Sequence, residues 1–351
     1  MKSDKPREVE NLQLFAHALA RNLFRSHDAL VAVGAGEDDV AIVDCTEIGQ
    51  LLISGDYLNA KRFSDTYLPR DFRDLGQHCV RQNASDILGS GGIPRWFVLS
   101  AIFDSTCTRE DVFTFFSSVQ SECERLGVTV IGGDTKEGQS VIVHGTILGI
   151  GGPQTWTMKT CSAGSDLFVT GELSGVTAAL CLLEFSQSQH LRSLAKAALR
   201  DADLPLEVVS NLRKLTVPIS ATDISDGLGY SLNQFTRGGT NIRLNVELER
   251  IPLHPLTKIA ADALGIPAKL FSFAFGGDFQ IVLAAPTSSR GKIESLGAIR
   301  IGEVVEGVGT SISWKGKVIS HIPDFGHLDF EQQRPVDRFV EFARTFGALL
   351  E

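Results

Sequence analysis

The sequence has no run of basic residues, no C-x-x-C pair, no apolar stretch long enough to cross a bilayer and no phosphate-binding loop of the form G-x-x-x-x-G-K-[ST]. Each absence removes a class of function. Nucleic-acid backbones are bound by clustered Lys and Arg, so a chain with a formal net charge of −9 and no cationic cluster is not expected to take nucleic acid as a partner. Six cysteines, Cys45, Cys79, Cys107, Cys123, Cys161 and Cys181, stand apart from one another, which fits neither a zinc site nor a small disulfide framework; they read as reduced thiols. The opening Met-Lys-Ser-Asp-Lys-Pro-Arg-Glu lacks the apolar core of a signal peptide, and the longest apolar run, around Trp96 to Phe103, is far too short for a span. The cytoplasm is the expected location, with no membrane partner. Without a Walker-type loop, a metal-centred site is the remaining physical route to phosphates.

What is present describes a globular protein, with a hydrophobic fraction of 43%, 21% charged residues and 34 glycines to supply tight turns. At 351 residues the chain is long enough for two domains, each burying its own core. Leu12, Phe15, Leu19 and Leu23 predict an opening amphipathic helix. Strands are expected at 31–33, 40–43 and 51–54, the last ending at Gly55-Asp56. A helix over 74–89 carries Asn83, Ser85 and Asp86 near its C-terminal half. Then come a strand over 97–103, a helix over 109–126 stopped by Gly127, and a strand over 128–131 delivered into Gly132-Gly133-Asp134-Thr135. Another strand, 141–148, runs into Gly149-Ile150-Gly151-Gly152-Pro153, which places the domains at 1–150 and 151–351. The second half has expected strands at 167–170, 242–246 and 279–284, helices at 176–185, 191–199 and 256–264, and a last helix from Pro335 with Val336, Phe339, Val340, Ala343 and Phe346 as its apolar face. Sheet and helix are interleaved in both halves, an α/β (α+β) fold class.

Within this frame one stretch combines chemistry densely: Thr222-Asp223-Ile224-Ser225-Asp226-Gly227. Ile219 and Ala221 close a buried strand, while Leu228, Leu232 and Phe235 recur at helical spacing, so both acids stand at a strand-to-helix turn. Such a turn offers free backbone N–H groups and two hard oxygen ligands, which suit a magnesium-bound phosphate. It serves equally well as a helix N-cap. Asp38, Asp39, Asp56, Asp86, Asp134 and Asp278 also lie at expected turns, most of them beside Gly or Ser. For any one of them a turn or a cap is the plainer explanation. A buried group of carboxylates, however, repels itself unless cations neutralise it, so jointly they point to divalent ions.

The ordered motifs Asp38-Asp39-Val40-Ala41, Ser54-Gly55-Asp56, Asn83-Ala84-Ser85-Asp86, Gly132-Gly133-Asp134-Thr135, Val169-Thr170-Gly171, Asp223-Ile224-Ser225-Asp226-Gly227-Leu228 and Gly277-Asp278-Phe279 resemble thiamine-monophosphate kinase. They are similar also to the wider superfamily of aminoimidazole ribonucleotide synthetase, selenophosphate synthetase and HypE. The resemblance implies an N-terminal domain whose strands pair across a homodimer into a barrel, a C-terminal α/β domain, and ATP in the cleft between them. It implies that Asp39, Asp56, Asp86, Asp134, Asp223 and Asp226 hold magnesium ions bridging the ATP phosphates, with Asp223 and Asp226 as the catalytic candidates. Ser54, Ser225 and Asp134 would add nucleotide contacts, and Lys159 falls where the kinase family carries a nucleotide-binding Arg. The implied reaction is in-line phosphoryl transfer to a small-molecule acceptor, in which positioning and metal electrostatics dominate and no covalent enzyme intermediate forms.

Three departures fall on the acceptor side. Gly277 stands where the family has a substrate-binding Glu, the His expected after the Asp56 motif is missing from Ala60-Lys61-Arg62-Phe63, and His327 stands where an aromatic ring is expected. Losing charge matching and stacking together predicts an altered acceptor. Two other functions fit the same motifs: a synthetase or dehydratase that activates an amide or carboxyl oxygen as a phosphate, and a nucleotide-binding homologue without catalysis.

Overall fold

Residues 30–33, 38–45, 49–60, 71–236 and 241–320 are described by the computed structural model, with residues 339, 340, 343, 346 and 347 of a C-terminal helical stretch. The opening helix, Lys61, Arg62, His327 and Val336 lie outside the described residues. The N-terminal half contributes β1 (Leu30–Val33), β2 (Ala41–Cys45), β3 (Gly49–Asn59), α1 (Phe72–Gly89), β4 (Ile93–Asp104), α2 (Arg109–Leu126), β5 (Thr129–Gly138) and β6 (Ile142–Ile150). Its strands form one sheet in the order β1-β2-β3-β6-β4-β5. Among the described residues that sheet is open, with β1 and β5 as its edges, so the barrel implied by the resemblance is not closed within one chain.

The helices begin and end where local chemistry dictates. The Asp71 side chain accepts from the Arg73 and Asp74 N–H groups to open α1. Thr108 and Asp111 form a reciprocal capping box on α2, which Gly127 terminates at φ 68°. Two strands run further than their sequence suggests. β3 continues through Ser54-Gly55-Asp56 because β6 pairs with it from Leu51↔Ile150 to Asn59↔Ile142. β5 continues through Gly132-Gly133-Asp134-Thr135 because β4 supplies a parallel partner as far as Gly138. Asp56 and Asp134 therefore sit inside strands rather than at turns.

The C-terminal half contributes β7 (Ser165–Val169), α3 (Gly175–Phe185), α4 (Gln189–Asp201), α5 (Leu206–Leu212), β8 (Ser220–Asp223), α6 (Leu228–Thr236), β9 (Ile242–Glu247), α7 (Pro255–Leu264), β10 (Ile281–Pro286), α8 (Arg290–Ser295), β11 (Ile299–Glu306), β12 (Gly309–Trp314) and β13 (Lys317–Ser320). Its sheet runs β13-β12-β9-β11-β7-β10-β8, so the short strand ending at Asp223 is an edge. The segment 268–273 is a 3-10 turn that buries Phe271 and Phe273. Phe339, Val340, Ala343 and Phe346 of the last helix are buried against this core, the Phe339 ring meeting Phe271 edge-on at 5.1 Å.

The hydrophobic interior does not divide at residue 150. Along β10, Ile281, Leu283 and Ala285 belong to the cluster that contains the N-terminal half, while Val282 and Ala284 belong to the C-terminal cluster. Alternation along a strand sends successive side chains to opposite faces, and here each face has its own core. β7 does the same with Phe168 against Leu167 and Val169.

Candidate nucleotide and metal site

Where the two halves meet, the C-terminal half of α1 is buried on every side. Asn83, Ala84, Ser85, Asp86, Ile87, Leu88 and Gly89 are all covered. The close approach depends on Gly89, because a Cβ there would lie 2.8 Å from the Asp223 backbone nitrogen. Ser85 on α1 donates its hydroxyl to Asp223 Oδ2 at 2.6 Å, and Ser54 on β3 donates to Asp86 Oδ2. The Asp56 N–H donates to Asn83 Oδ1 at 3.1 Å, and Thr222 donates its hydroxyl to Asp39 Oδ2. Side-chain hydroxyls thus hold three of the acids from the opposite half or a neighbouring element.

The electrostatics show that the acids face one another. Burial, then Asp56, Asp223 and Asp39, push Asp86 well above the usual carboxylate range. Asp223 is pushed well up by burial and by Asp39, Asp56 and Asp226, against the opposing hydrogen bond from Ser85. Asp56 is raised by burial and by Asp226 and Asp39, with a Gln82 hydrogen bond and His144 opposing. Desolvation is the largest cause in each case, and like charges add to it. Asp39, Asp56, Asp86, Asp223 and Asp226 therefore form one electrostatic group drawn from β3, α1, β8 and the turns beside them. Among the described residues no three His, Cys, Asp or Glu side chains close on a single point as a ready-made ion site. The acids instead share a space between them.

The expected residues divide into three sets. Five aspartates converge as described, with Ser54 beneath them and Ser225 beside Asp223, its hydroxyl 3.4 Å from Oδ1. Asp38 stands next to the group; its carboxylate accepts the Met158 N–H at 3.2 Å, and burial and Asp39 push it up to about 7 while Lys159 pulls it back. Lys159 is thus brought to the rim of the site. Asp134 is not brought to it within one chain. It pairs across β5 and β4 with Ser100, on the sheet face opposite Leu99 and the helices, and lies exposed beside Lys136 at 3.3 Å. Asp278 is a helix cap instead: its carboxylate accepts from Ser174 at 2.6 Å and from Val176 at 2.9 Å at the start of α3.

Asp134 borders a groove of about 610 Å³ between α2 and β5, lined by Phe113, Phe116, Gln120, Val130 and Gly133 among others. The sequence did not single out Phe113 and Phe116, which stand three apart on α2; in the structure Phe113 is 73% exposed. Gln82 and Gln280 were missed as well, and Ser85 and Thr222 stood in the quoted motifs without a role, because a polar side chain that serves a group on another element has no local signature.

Gly276 and Gly277 brace the Asp223–Gly227 turn from behind. The loop takes φ values of 59° at Phe275, 59° at Gly276, 81° at Gly277 and 54° at Phe279. A Cβ on Gly276 would lie 2.2 Å from the Ser225 carbonyl oxygen. Gly277 occupies a conformation that costs an L side chain about 1–2 kcal/mol, which gives the missing Glu a backbone reason as well.

Residues 37–151 match the family described as AIR synthase related protein, N-terminal domain. The thiamine-monophosphate kinase of Archaeoglobus fulgidus is 29% identical over 302 residues, covering 85% of this chain and 92% of that protein. That of Methanopyrus kandleri is 26% identical over 286 residues, covering 80% and 86%. Among solved structures, AaThiL complexed with AMPPCP and TMP aligns with a TM-score of 0.76 at 22% identity, over 92% of this chain and 97% of that one. E. coli HypE, a hydrogenase maturation protein, aligns with a TM-score of 0.65 at 20% identity, over 92% and 98%. The likeness to these structures is one of fold.

Proposed function

We propose that the chain is a thiamine-monophosphate-kinase-like member of the AIR synthase superfamily, an ATP-dependent phosphotransferase whose triphosphate is held by Asp39, Asp56, Asp86, Asp223 and Asp226. The observation that carries this reading is the convergence of these acids from both halves of the chain, with Asp39, Asp86 and Asp223 each held by a hydroxyl from another element. Magnesium fits the donor set, which is all oxygen and over-supplied with negative charge. When bound it neutralises the carboxylates and the phosphates facing them. Asp223 and Asp226 line the C-terminal wall where the phosphoryl group transfers, Ser54 and Ser225 add oxygen contacts, and Lys159 contributes a positive charge at the rim.

Asp134 stands on the sheet face opposite Asp56, so in this reading it serves the nucleotide only across a seam with a second copy docked on that open face. The groove beside Phe113 and Phe116 offers an apolar wall for a base. The open face of the six-stranded sheet, where Tyr57 is 63% and Ile131 56% exposed, is proposed as the surface that a second copy covers to form a homodimer barrel. The division at 150/151, drawn between the two sheets and not between the two cores, and a cytoplasmic location complete the proposal; all six cysteines are free thiols, as a reducing compartment requires. No described helix is long and apolar enough to cross a membrane.

Gly277 and His327 support an acceptor other than thiamine monophosphate, since Gly277 supplies no charge and His327 sets a small polar imidazole where the family places its aromatic ring. Incubation with ATP, magnesium and a panel of small alcohols and phosphate esters, followed by mass spectrometry, is expected to give ADP and one phosphorylated acceptor. Diphosphate formed from thiamine monophosphate would uphold the kinase and refute the altered acceptor. ATP binding without turnover across the panel would refute catalysis.

A further inference from the structure

Gln280 makes four hydrogen bonds that converge from separate parts of the chain. Its Oε1 accepts from the Thr170 hydroxyl at 3.0 Å, and its Nε2 donates to the carbonyl oxygens of Asp203 at 3.2 Å and Asp278 at 3.1 Å. Its own carbonyl accepts the Ile224 N–H at 2.8 Å, directly between Asp223 and Ser225. Gly171 leaves room for this amide, since a Cβ there would lie 2.5 Å from Oε1. Only a neutral amide satisfies one donor and two acceptors at once.

The 200–203 segment that Gln280 holds is held in turn by α1. Arg81 donates from Nη1 to the carbonyl oxygens of Arg200 and Ala202, each at 2.8 Å, while its Nε pairs with Glu122 at 2.8 Å. Arg125 grips the Asp203 carboxylate at 2.7 Å, and Arg200 reaches back to Asp74 at 3.0 Å. Arg81 lies five residues before Asp86 on the same helix. A continuous polar chain therefore joins the helix carrying Asp86 to the turn carrying Asp223 and Asp226, through the back of the site rather than across it.

We propose that Gln280 is a positioning residue: its backbone carbonyl holds the Ile224 N–H of the Asp223–Gly227 turn while its side-chain amide holds the 200–203 segment, which Arg81 clamps to α1, so that the two acidic walls are kept at one spacing. The identity of the ligand between those walls rests on the function proposed above; the clamp does not. Gln280→Glu keeps the shape but sets a carboxylate against two carbonyl oxygens. Gln280→Met keeps the volume and removes all three side-chain bonds, leaving the Thr170 hydroxyl only the Ile281 N–H that it accepts at 2.9 Å. Arg81→Lys attacks the same clamp from the other end, keeping the charge while losing the two-carbonyl fork.

Hydrogen–deuterium exchange on the full chain tests this directly. Each variant is expected to accelerate exchange about tenfold in 220–230 and in 199–204 while leaving β9 and β11 unchanged. The magnesium concentration giving half-maximal ATP-analogue binding is expected to rise about tenfold in the same variants. Unchanged exchange in 220–230, or a uniform rise across the chain that tracks a fall in Tm, would overturn the positioning role. If the wild-type chain binds no Mg-ATP analogue, the functional reading falls while the exchange pattern still decides the role of Gln280.

Discussion

Replacing Asp223 by Asn should stabilise the metal-free protein and abolish its response to nucleotide, two effects of opposite sign from one atom change. Asp223 is buried on β8, and its side chain accepts the Ser85 hydroxyl at 2.6 Å, a bond that the amide oxygen of Asn accepts equally. The substitution thus removes charge with little change of shape. Two like charges about 6 Å apart repel by about 3 kcal/mol at an effective dielectric of about 20. Partial protonation of the cluster already relieves most of this, so the net gain is about 1 kcal/mol, or about 2 °C in Tm for a chain of this length. With magnesium and a non-hydrolysable ATP analogue the sign reverses. A ligand at a hundred times its Kd stabilises the wild type by about 2.7 kcal/mol, and a site lacking one of its hard anionic ligands should lose nearly all of it. Differential scanning fluorimetry in EDTA, and again with Mg-ATP analogue, reads both. A variant that melts several degrees lower in EDTA, yet keeps the full ligand shift, would refute the argument that these acids destabilise the empty fold and serve a cation.

The same physics predicts a pH dependence. Asp38, pushed up to about 7, and Asp86 and Asp223, raised well above the ordinary value, make the folded chain bind more protons than the unfolded one between pH about 4 and 7. Stability in EDTA should therefore fall as pH rises through that window. Magnesium, which requires ionised carboxylates, should flatten the slope and release protons on binding, measurable by calorimetry in buffers of different ionisation heat. Gly89→Ala forces a Cβ to within 2.8 Å of the Asp223 nitrogen and should cost about 1–3 kcal/mol, with nucleotide affinity lost alongside, checked by urea unfolding and ligand titration. Asp278→Ala removes the acceptor from the Ser174 and Val176 N–H groups and should cost about 1–3 kcal/mol in urea unfolding, while Asp278→Asn, which keeps one acceptor oxygen, costs less.

The sequence made the elements with strong periodicity legible: the helix carrying Asp86, the helix stopped by Gly127 and the turn after Asp223 all lie where their patterns indicate. The ends of β3 and β5 were not legible, because Gly55 and Gly132-Gly133 look like punctuation until β6 and β4 are there to pair with them. β11, β12 and β13 were missed, since their alternation is short and interrupted by Gly302, Gly307 and Gly309. In the site, the acids announce themselves by charge and by neighbouring Gly or Ser. Asp278 announced itself in the same way and proved to be a cap, and Asp134 proved to face the other side of a sheet. Face and partner are set by register, and register is a property of two strands rather than of one.

The strands β7 and β10 each give one face to either core, and this bears on how the molecule comes apart. A wall shared by two rooms cannot be removed from one alone: losing the C-terminal packing would strip Phe168, Ile281 and Leu283 from the N-terminal cluster at the same moment. The two halves are accordingly cooperative partners in unfolding, expected to melt in a single calorimetric transition, and neither inherits a finished interior when the chain is cut between the sheets.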